Sequence, residues 1–232
     1  ITPDANGLSV AEHAFALMMS LAKKIIPVSR AYREIGFAAK NSPPCIELSG
    51  KTAGVVGLGK IGTRFANMCR FGFGMQVLAY DPFAKGAGLP DYIRMVEDRD
   101  EIFKRSDYVS LHVPATTETV HSVSDREFGL MKPTAYLINA ARGSIVDEAA
   151  LYRALQEEKI AGAGLDVLEQ EPIDPSNPLV AKDNVLTAPH IGGATKEASS
   201  RSSVACAQAI DDFFSGRTPK FVVPELRDLI QK

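Results

Sequence analysis

Apolar positions along the chain follow two different periods. Across residues 9–26, Ala11, Phe15, Met18, Ala22 and Ile25 recur at helical spacing. Ser9 and Glu12 fit a capping box, in which each side chain satisfies a backbone N–H of the other. Pro27 is expected to end or kink this helix, with a second short helix over 28–35. Residues 40–51, KNSPPCIELSGK, are rich in turn formers and read as a loop. From residue 52 the pattern changes. Six short β-rich apolar runs follow, at 52–57, 76–80, 107–113, 135–140, 161–167 and 184–188. Helical patterns fit between most of them, at 60–71, 97–105, 124–130 and 147–158, and a last helix is expected over 194–215. Strands alternating with helices imply a parallel sheet covered on both faces. The continuous apolar character of the runs agrees with burial on both sides.

One turn in this pattern carries chemistry. VVGLGKIGTRFA sets Gly57, Gly59 and Gly62 in a G-x-G-x-x-G spacing between a strand and a helix. A second strand then ends in Asp81, 19 residues after Gly62. That context is the dinucleotide fingerprint. Gly57 permits the tight turn, Gly59 lets backbone approach a pyrophosphate, and Gly62 allows close helix–strand packing. The helix N-terminus offers unpaired N–H groups to phosphates. Asp81 would accept hydrogen bonds from a ribose and repel a 2′-phosphate, which favours NAD over NADP. The fold class expected is α/β, a doubly wound parallel sheet of the Rossmann type.

Composition narrows the picture only slightly. The 232 residues are 45% hydrophobic and 23% charged, as in an ordinary globular protein. A net charge of −2 gives no reason to expect nucleic acid or an anionic membrane as partner. No apolar run reaches the roughly 18 residues a bilayer span needs, and no signal peptide is visible. Cys45, Cys69 and Cys206 have no CxxC or Cys/His spacing, so no metal site is expected and reduced thiols in the cytoplasm are. The chain begins at Ile1, which suggests a fragment or a processed chain.

In an open parallel sheet, ligands bind beyond the carboxyl ends of the strands. Those ends carry His112-Val113-Pro114, then Asn139-Ala140-Ala141-Arg142, then Asp166, then Pro189-His190. Arg142 offers a planar fork of donors suited to a carboxylate, and the small residues before it leave room for a nicotinamide ring. His190 can move a proton near neutral pH. Gly192-Gly193 after it mark a shaped loop. A nearby carboxylate would favour the protonated ring, with Glu169, Glu171 and Asp174 all candidates. His13, His112 and His121 read as structural.

VVGLGKIG, AYDP, DYVSLHVPATTETVH, LINAARGSIVDEAAL, AGAGLDVLEQEP and TAPHIGGAT, with SVAEHAFALM near the start, together resemble the D-isomer-specific 2-hydroxyacid dehydrogenase family, which includes phosphoglycerate dehydrogenases. The resemblance implies that Arg142 binds the substrate carboxylate and carbonyl. It makes Glu171 the partner of His190, and His190 the acid/base. It gives Asp166 the nicotinamide carboxamide. Lys60, Ile61, Val113, Pro114, Ala140, Ala141, Gly192 and Gly193 fall at other cofactor-contacting positions. Glutamate at 171 argues against formate dehydrogenases, which carry glutamine there.

By the same resemblance, residues 1–45 hold crossover and dimerisation helices with a linker, and 46–217 the NAD-binding domain. Residues 218–232 return toward a substrate domain that is largely absent. The activity implied is NAD-dependent interconversion of a D-2-hydroxy acid and its 2-keto acid by a homodimer. 3-Phosphoglycerate is one substrate suggested, because NAARG and HIGGAT look most like that branch. Alternatives are an NAD-sensing binding protein resembling C-terminal-binding corepressors, and a catalytically silent NAD-binding fragment.

Overall fold

A computed structural model describes residues 2, 5–84, 88–223 and 226 of the chain. Seven strands are present: β1 (Thr52–Val56), β2 (Gln76–Tyr80), β3 (Ile93–Met95), β4 (Tyr108–Leu111), β5 (Tyr136–Asn139), β6 (Gly162–Leu165) and β7 (Val185–Thr187). All pair in parallel, in the order β3-β2-β1-β4-β5-β6-β7. The chain builds outward from β1 in one direction and then from β4 in the other. The sheet therefore has a topological switch point between β1 and β4, where an open α/β sheet leaves a crevice.

The helices are α1 (Gly7–Ala22), α2 (Ile25–Ile35), α3 (Lys60–Asn67), α4 (Asp100–Arg105), α5 (Asp125–Leu130), α6 (Glu148–Gln156) and α7 (Lys196–Phe214). Successive strand residues face opposite sides, so the sheet separates two apolar layers. Val55, Val77 and Ile138 pack with Phe65 of α3 and with Leu17 and Met18 of α1. Val56, Leu78, Leu111 and Leu137 pack with Phe103 of α4, Phe128 of α5 and Leu151 of α6. α1 thus covers the same face as α3.

Three expectations needed correction. β3 was not anticipated: it is three residues long and lies at the sheet edge, with Arg94 exposed between Ile93 and Met95. α1 begins at Gly7 behind Asn6, so Ser9 lies inside the helix and cannot cap it. Its buried hydroxyl instead meets Thr195 Oγ1 at 2.8 Å. A capping box does form at α5, between Ser124 and Glu127. Pro27 does not end a continuous helix. The break comes earlier, at Lys24 with φ 48°, and Pro27 sits in the first turn of α2, where a missing N–H costs nothing. The helix expected over 60–71 continues past α3 as one π turn, Met68–Gly72.

α2 buries no residue and exposes Ile25, Ile26, Tyr32 and Ile35. α7 buries only Ala198 and exposes Val204, Ile210, Phe213 and Phe214. Among the described residues no helix is long and apolar enough to cross a membrane. The return segment expected over 218–232 lies largely outside the described residues.

Candidate functional site

The carboxyl edge of the sheet holds the site in two halves. The first is the turn between β1 and α3. Gly57 has φ 95°, a conformation that penalises any side chain, and a Cβ there would stand 2.7 Å from the His112 carbonyl oxygen. A Cβ at Gly62 would stand 2.0 Å from the Gly57 carbonyl oxygen, so helix and turn are in direct backbone contact. At Gly59 an added Cβ would meet nothing within 4 Å. Gly59 is the N-cap of α3 and no side chain caps its first turn. Open space over uncapped N–H groups fits a phosphate. Lys60 begins α3.

Asp81 braces this turn. Its Oδ2 accepts from the Leu58 N–H at 2.8 Å, and its Oδ1 accepts from Phe83 and Ala84 at 2.8 and 3.2 Å. Each oxygen retains lone-pair capacity for a ribose hydroxyl.

Beside the turn is a cavity of about 700 Å³. Ile61, Val113, Pro114, Ala140, Ala141, Arg142, Asp166, His190 and Gly193 all line it, together with Asn6, His112 and Ala194. Gly192 lies buried behind it, against Asp166. The small residues of the β5 end are braced by Asn139, whose side chain accepts from Ala141 N–H at 3.1 Å and donates to Arg142 O at 2.9 Å. Gly143 has no room for a side chain, because its Cβ would stand 1.9 Å from the Leu168 carbonyl oxygen. This close approach brings the Arg142 turn against the segment that carries Glu171. The Arg142 guanidinium is exposed; its Nη1 donates to Ala141 O at 2.6 Å. It pairs with no carboxylate among the described residues.

The second half is the loop after β7. His190 Nδ1 lies 2.8 Å from Glu171 Oε2. Glu171 Oε1 accepts from Leu168 N–H at 3.3 Å, which holds the carboxylate toward the ring. The other two candidate carboxylates are engaged elsewhere. Glu169 accepts from Glu148 N–H at 2.8 Å and meets His121 Nε2 at 3.2 Å. Asp174 accepts from the N–H and hydroxyl of Ser176, each at 2.8 Å.

His190 itself has φ 56°, left-handed for a side chain with a Cβ. Three consecutive N–H groups of its loop converge on Asp166. His190 donates to the Asp166 main-chain oxygen at 2.8 Å, Ile191 to Oδ1 at 2.9 Å and Gly192 to Oδ2 at 2.8 Å. The Asp166 side chain is 2% exposed. Burial pushes its pKa up, but the His13 ring beside it and the two N–H bonds together hold it below the ordinary carboxylate value. Sequence reasoning had given His13 a structural role, yet its Nε2 stands 3.1 Å from Asp166 Oδ1. His112 contacts Ser110 Oγ through Nε2 at 2.9 Å, and burial pushes its pKa down to about 3, so the ring is neutral. Asn139 was also missed; a polar residue closing a buried strand was the available signal.

A glycine turn at the switch point, an acidic residue ending the next strand and a cavity at the carboxyl edge define a dinucleotide-binding α/β domain. Residues 15–192 match the family model described as D-isomer specific 2-hydroxyacid dehydrogenase, NAD binding domain. The chain is 43% identical over 214 residues to a D-3-phosphoglycerate dehydrogenase of Archaeoglobus fulgidus, covering 92% of this chain and 40% of that relative. It is 40% identical to a glyoxylate reductase of Korarchaeum cryptofilum, covering 96% of this chain and 68% of that one. Among solved structures it resembles the D-lactate dehydrogenase of Aquifex aeolicus complexed with NAD and lactic acid. The TM-score is 0.84 at 36% identity, over 92% of this chain and 68% of that one. The chain belongs to the D-isomer-specific 2-hydroxyacid dehydrogenase family and forms its NAD-binding, Rossmann-type domain.

Proposed function

We propose that this domain is the cofactor-binding and catalytic part of an NAD-dependent dehydrogenase that interconverts a D-2-hydroxy acid and its 2-keto acid. The observation that carries this reading is the 2.8 Å contact of His190 with Glu171, beside a cavity that His190 and Arg142 both line. NAD supplies the hydride in its reduced form and accepts it in its oxidised form.

Gly57, Gly59, Gly62 and the first turn of α3, with Lys60 and Ile61, hold the pyrophosphate. Asp81 takes the adenosine ribose hydroxyls and disfavours a 2′-phosphate. Val113, Pro114, Ala140, Ala141 and Gly193 would hold the nicotinamide, with Asp166 toward its carboxamide and Gly192 supporting Asp166 from behind. Arg142 forks the substrate carboxylate and polarises the 2-oxo group, stabilising the negative charge that develops there. With Nδ1 bonded to Glu171, His190 presents Nε2 to the reacting oxygen. It gives a proton in reduction and takes one in oxidation. Glu171 fixes the orientation of the ring through Nδ1.

Arg142 and His190 address the part common to all 2-hydroxy acids, so the reading is of that class. 3-Phosphoglycerate is the first substrate to assay, since the A. fulgidus relative carries that name. Assembly as a homodimer through the helices near the start is supported by the exposed Ile25, Ile26, Tyr32 and Ile35 of α2. Sedimentation equilibrium is expected to return twice the chain mass, and a monomer at micromolar concentration would overturn the dimer.

His190→Gln in the whole protein is expected to lower kcat by about 10²–10⁴-fold with 2-keto acids. NADH affinity should stay within about threefold, because the ring makes no contact needed for phosphate or ribose binding. Turnover equal to that of the unsubstituted protein sinks the assignment.

A further inference from the structure

The geometry points to His13 as a positioning residue for the His190 loop, acting through Asp166. This inference rests on the reading of His190 as the acid/base. His13 lies on α1, far in sequence from both β6 and the loop after β7. Its Nε2 is buried, is not aligned for a hydrogen bond, and has Asp166 Oδ1 as its polar neighbour at ion-pair distance, 3.1 Å. The Asp166 carboxylate in turn accepts from Ile191 and Gly192 at 2.9 and 2.8 Å. The Asp166 main-chain oxygen accepts from His190 at 2.8 Å. One residue therefore collects three successive N–H groups of the loop in which His190 is held left-handed.

That collection depends on Asp166 staying ionised. A protonated carboxyl has one oxygen that donates, and it can no longer accept equally from both N–H groups. A carboxylate that is 2% exposed is opposed by desolvation, and two backbone N–H groups are its only other side-chain partners among the described residues. The His13 ring nitrogen is the third polar group set against the carboxylate, at ion-pair distance. It also fills space: a Cβ at Gly192 would meet Asp166 Oδ2 at 2.7 Å and His13 Cδ2 at 3.4 Å, so ring, carboxylate and loop backbone are packed together. Through this contact α1 bears on the placement of His190 without touching it.

Two substitutions separate donor from volume. His13→Leu keeps bulk and removes the N–H, and His13→Gln keeps an N–H donor. In the chain itself, amide exchange at Ile191 and Gly192 is expected to quicken about tenfold in His13→Leu, the worth of one buried polar contact to a charged group. Exchange at Ile138, in the core of β5, should be unchanged. In His13→Gln both loop amides should return to within about threefold of the unsubstituted rate. In the whole protein kcat should follow the same order, lower by about tenfold in His13→Leu and largely restored in His13→Gln, with KM for NADH held within about threefold.

Unchanged exchange at Ile191 and Gly192 in a folded His13→Leu chain overturns the inference. So does an equal rise at Ile138, which would report general loosening, or a His13→Gln chain that behaves like His13→Leu. If His190→Gln leaves turnover intact, the acid/base reading falls while the exchange measurement still decides whether His13 holds the loop.

Discussion

The two halves of the site are built by opposite means. The turn between β1 and α3 works by what it lacks: Gly57, Gly59 and Gly62 bring main chain where a Cβ would collide or would block an approaching phosphate. The loop after β7 works by what it carries: Glu171, His190, Asp166 and His13 are held by side-chain contacts at 2.8–3.1 Å. Main-chain shape suits a group that is the same in every catalytic cycle. Side-chain pairs can change protonation, and that suits the reacting end. Binding and turnover should therefore fail separately.

The largest expected effect tests that separation directly. His190→Gln should remove turnover by orders of magnitude at constant NADH affinity. Parallel loss of both would merge the halves. Gly62→Ala should strike the other half. Its Cβ would stand 2.0 Å from the Gly57 carbonyl oxygen, so α3 must shift away from the turn. A loss of about 1–3 kcal/mol in urea unfolding is expected, with NAD binding weakened in the same sample. Full stability with full NAD affinity would show that the contact is slack.

Asp81→Ala should be milder. It removes ribose acceptors, one brace of the glycine turn and two bonds within its own loop, and NAD affinity should fall about tenfold while that for NADP falls less. Equal losses, read by fluorescence titration, would deny Asp81 any part in choosing the cofactor.

Acid gives the smallest effect. Asp166 has a folded pKa held below its ordinary value, against the opposing effect of burial. Its contribution to stability is therefore present above the unfolded carboxylate pKa of about 4 and is lost as pH falls through the folded value. Exchange at Ile191 and Gly192 should quicken in that window before Ile138 does. Simultaneous quickening would mean that the loop has no acid sensitivity of its own.

The glycine-turn half was legible in sequence because its information is local. Three glycines within six residues, a strand before and a helix after fix the backbone path almost alone. Arg142 and His190 were legible for a related reason: a parallel sheet sends every strand end to one edge. The partner of His190 was not legible from local physics. Glu169, Glu171 and Asp174 lie within one loop, and which of them reaches the ring depends on the Glu148 and Ser176 contacts that engage the other two. His13 was hidden because its meaning arises only when α1 is laid across the end of β6. β3 was missed because three residues with an arginine in the middle carry no periodicity. The Ser9–Glu12 pattern misled because the helix starts at Gly7, two residues ahead of the apparent cap.

The left-handed backbone of His190 sets stability against activity within one residue. At φ 56° a glycine would be the more comfortable occupant, by about 1 kcal/mol or more. A search for variants that only survive heating would therefore tend to discard the imidazole first. Thermal robustness is better sought elsewhere, for example on the exposed apolar positions of α7, leaving position 190 in the strained conformation that aims its ring.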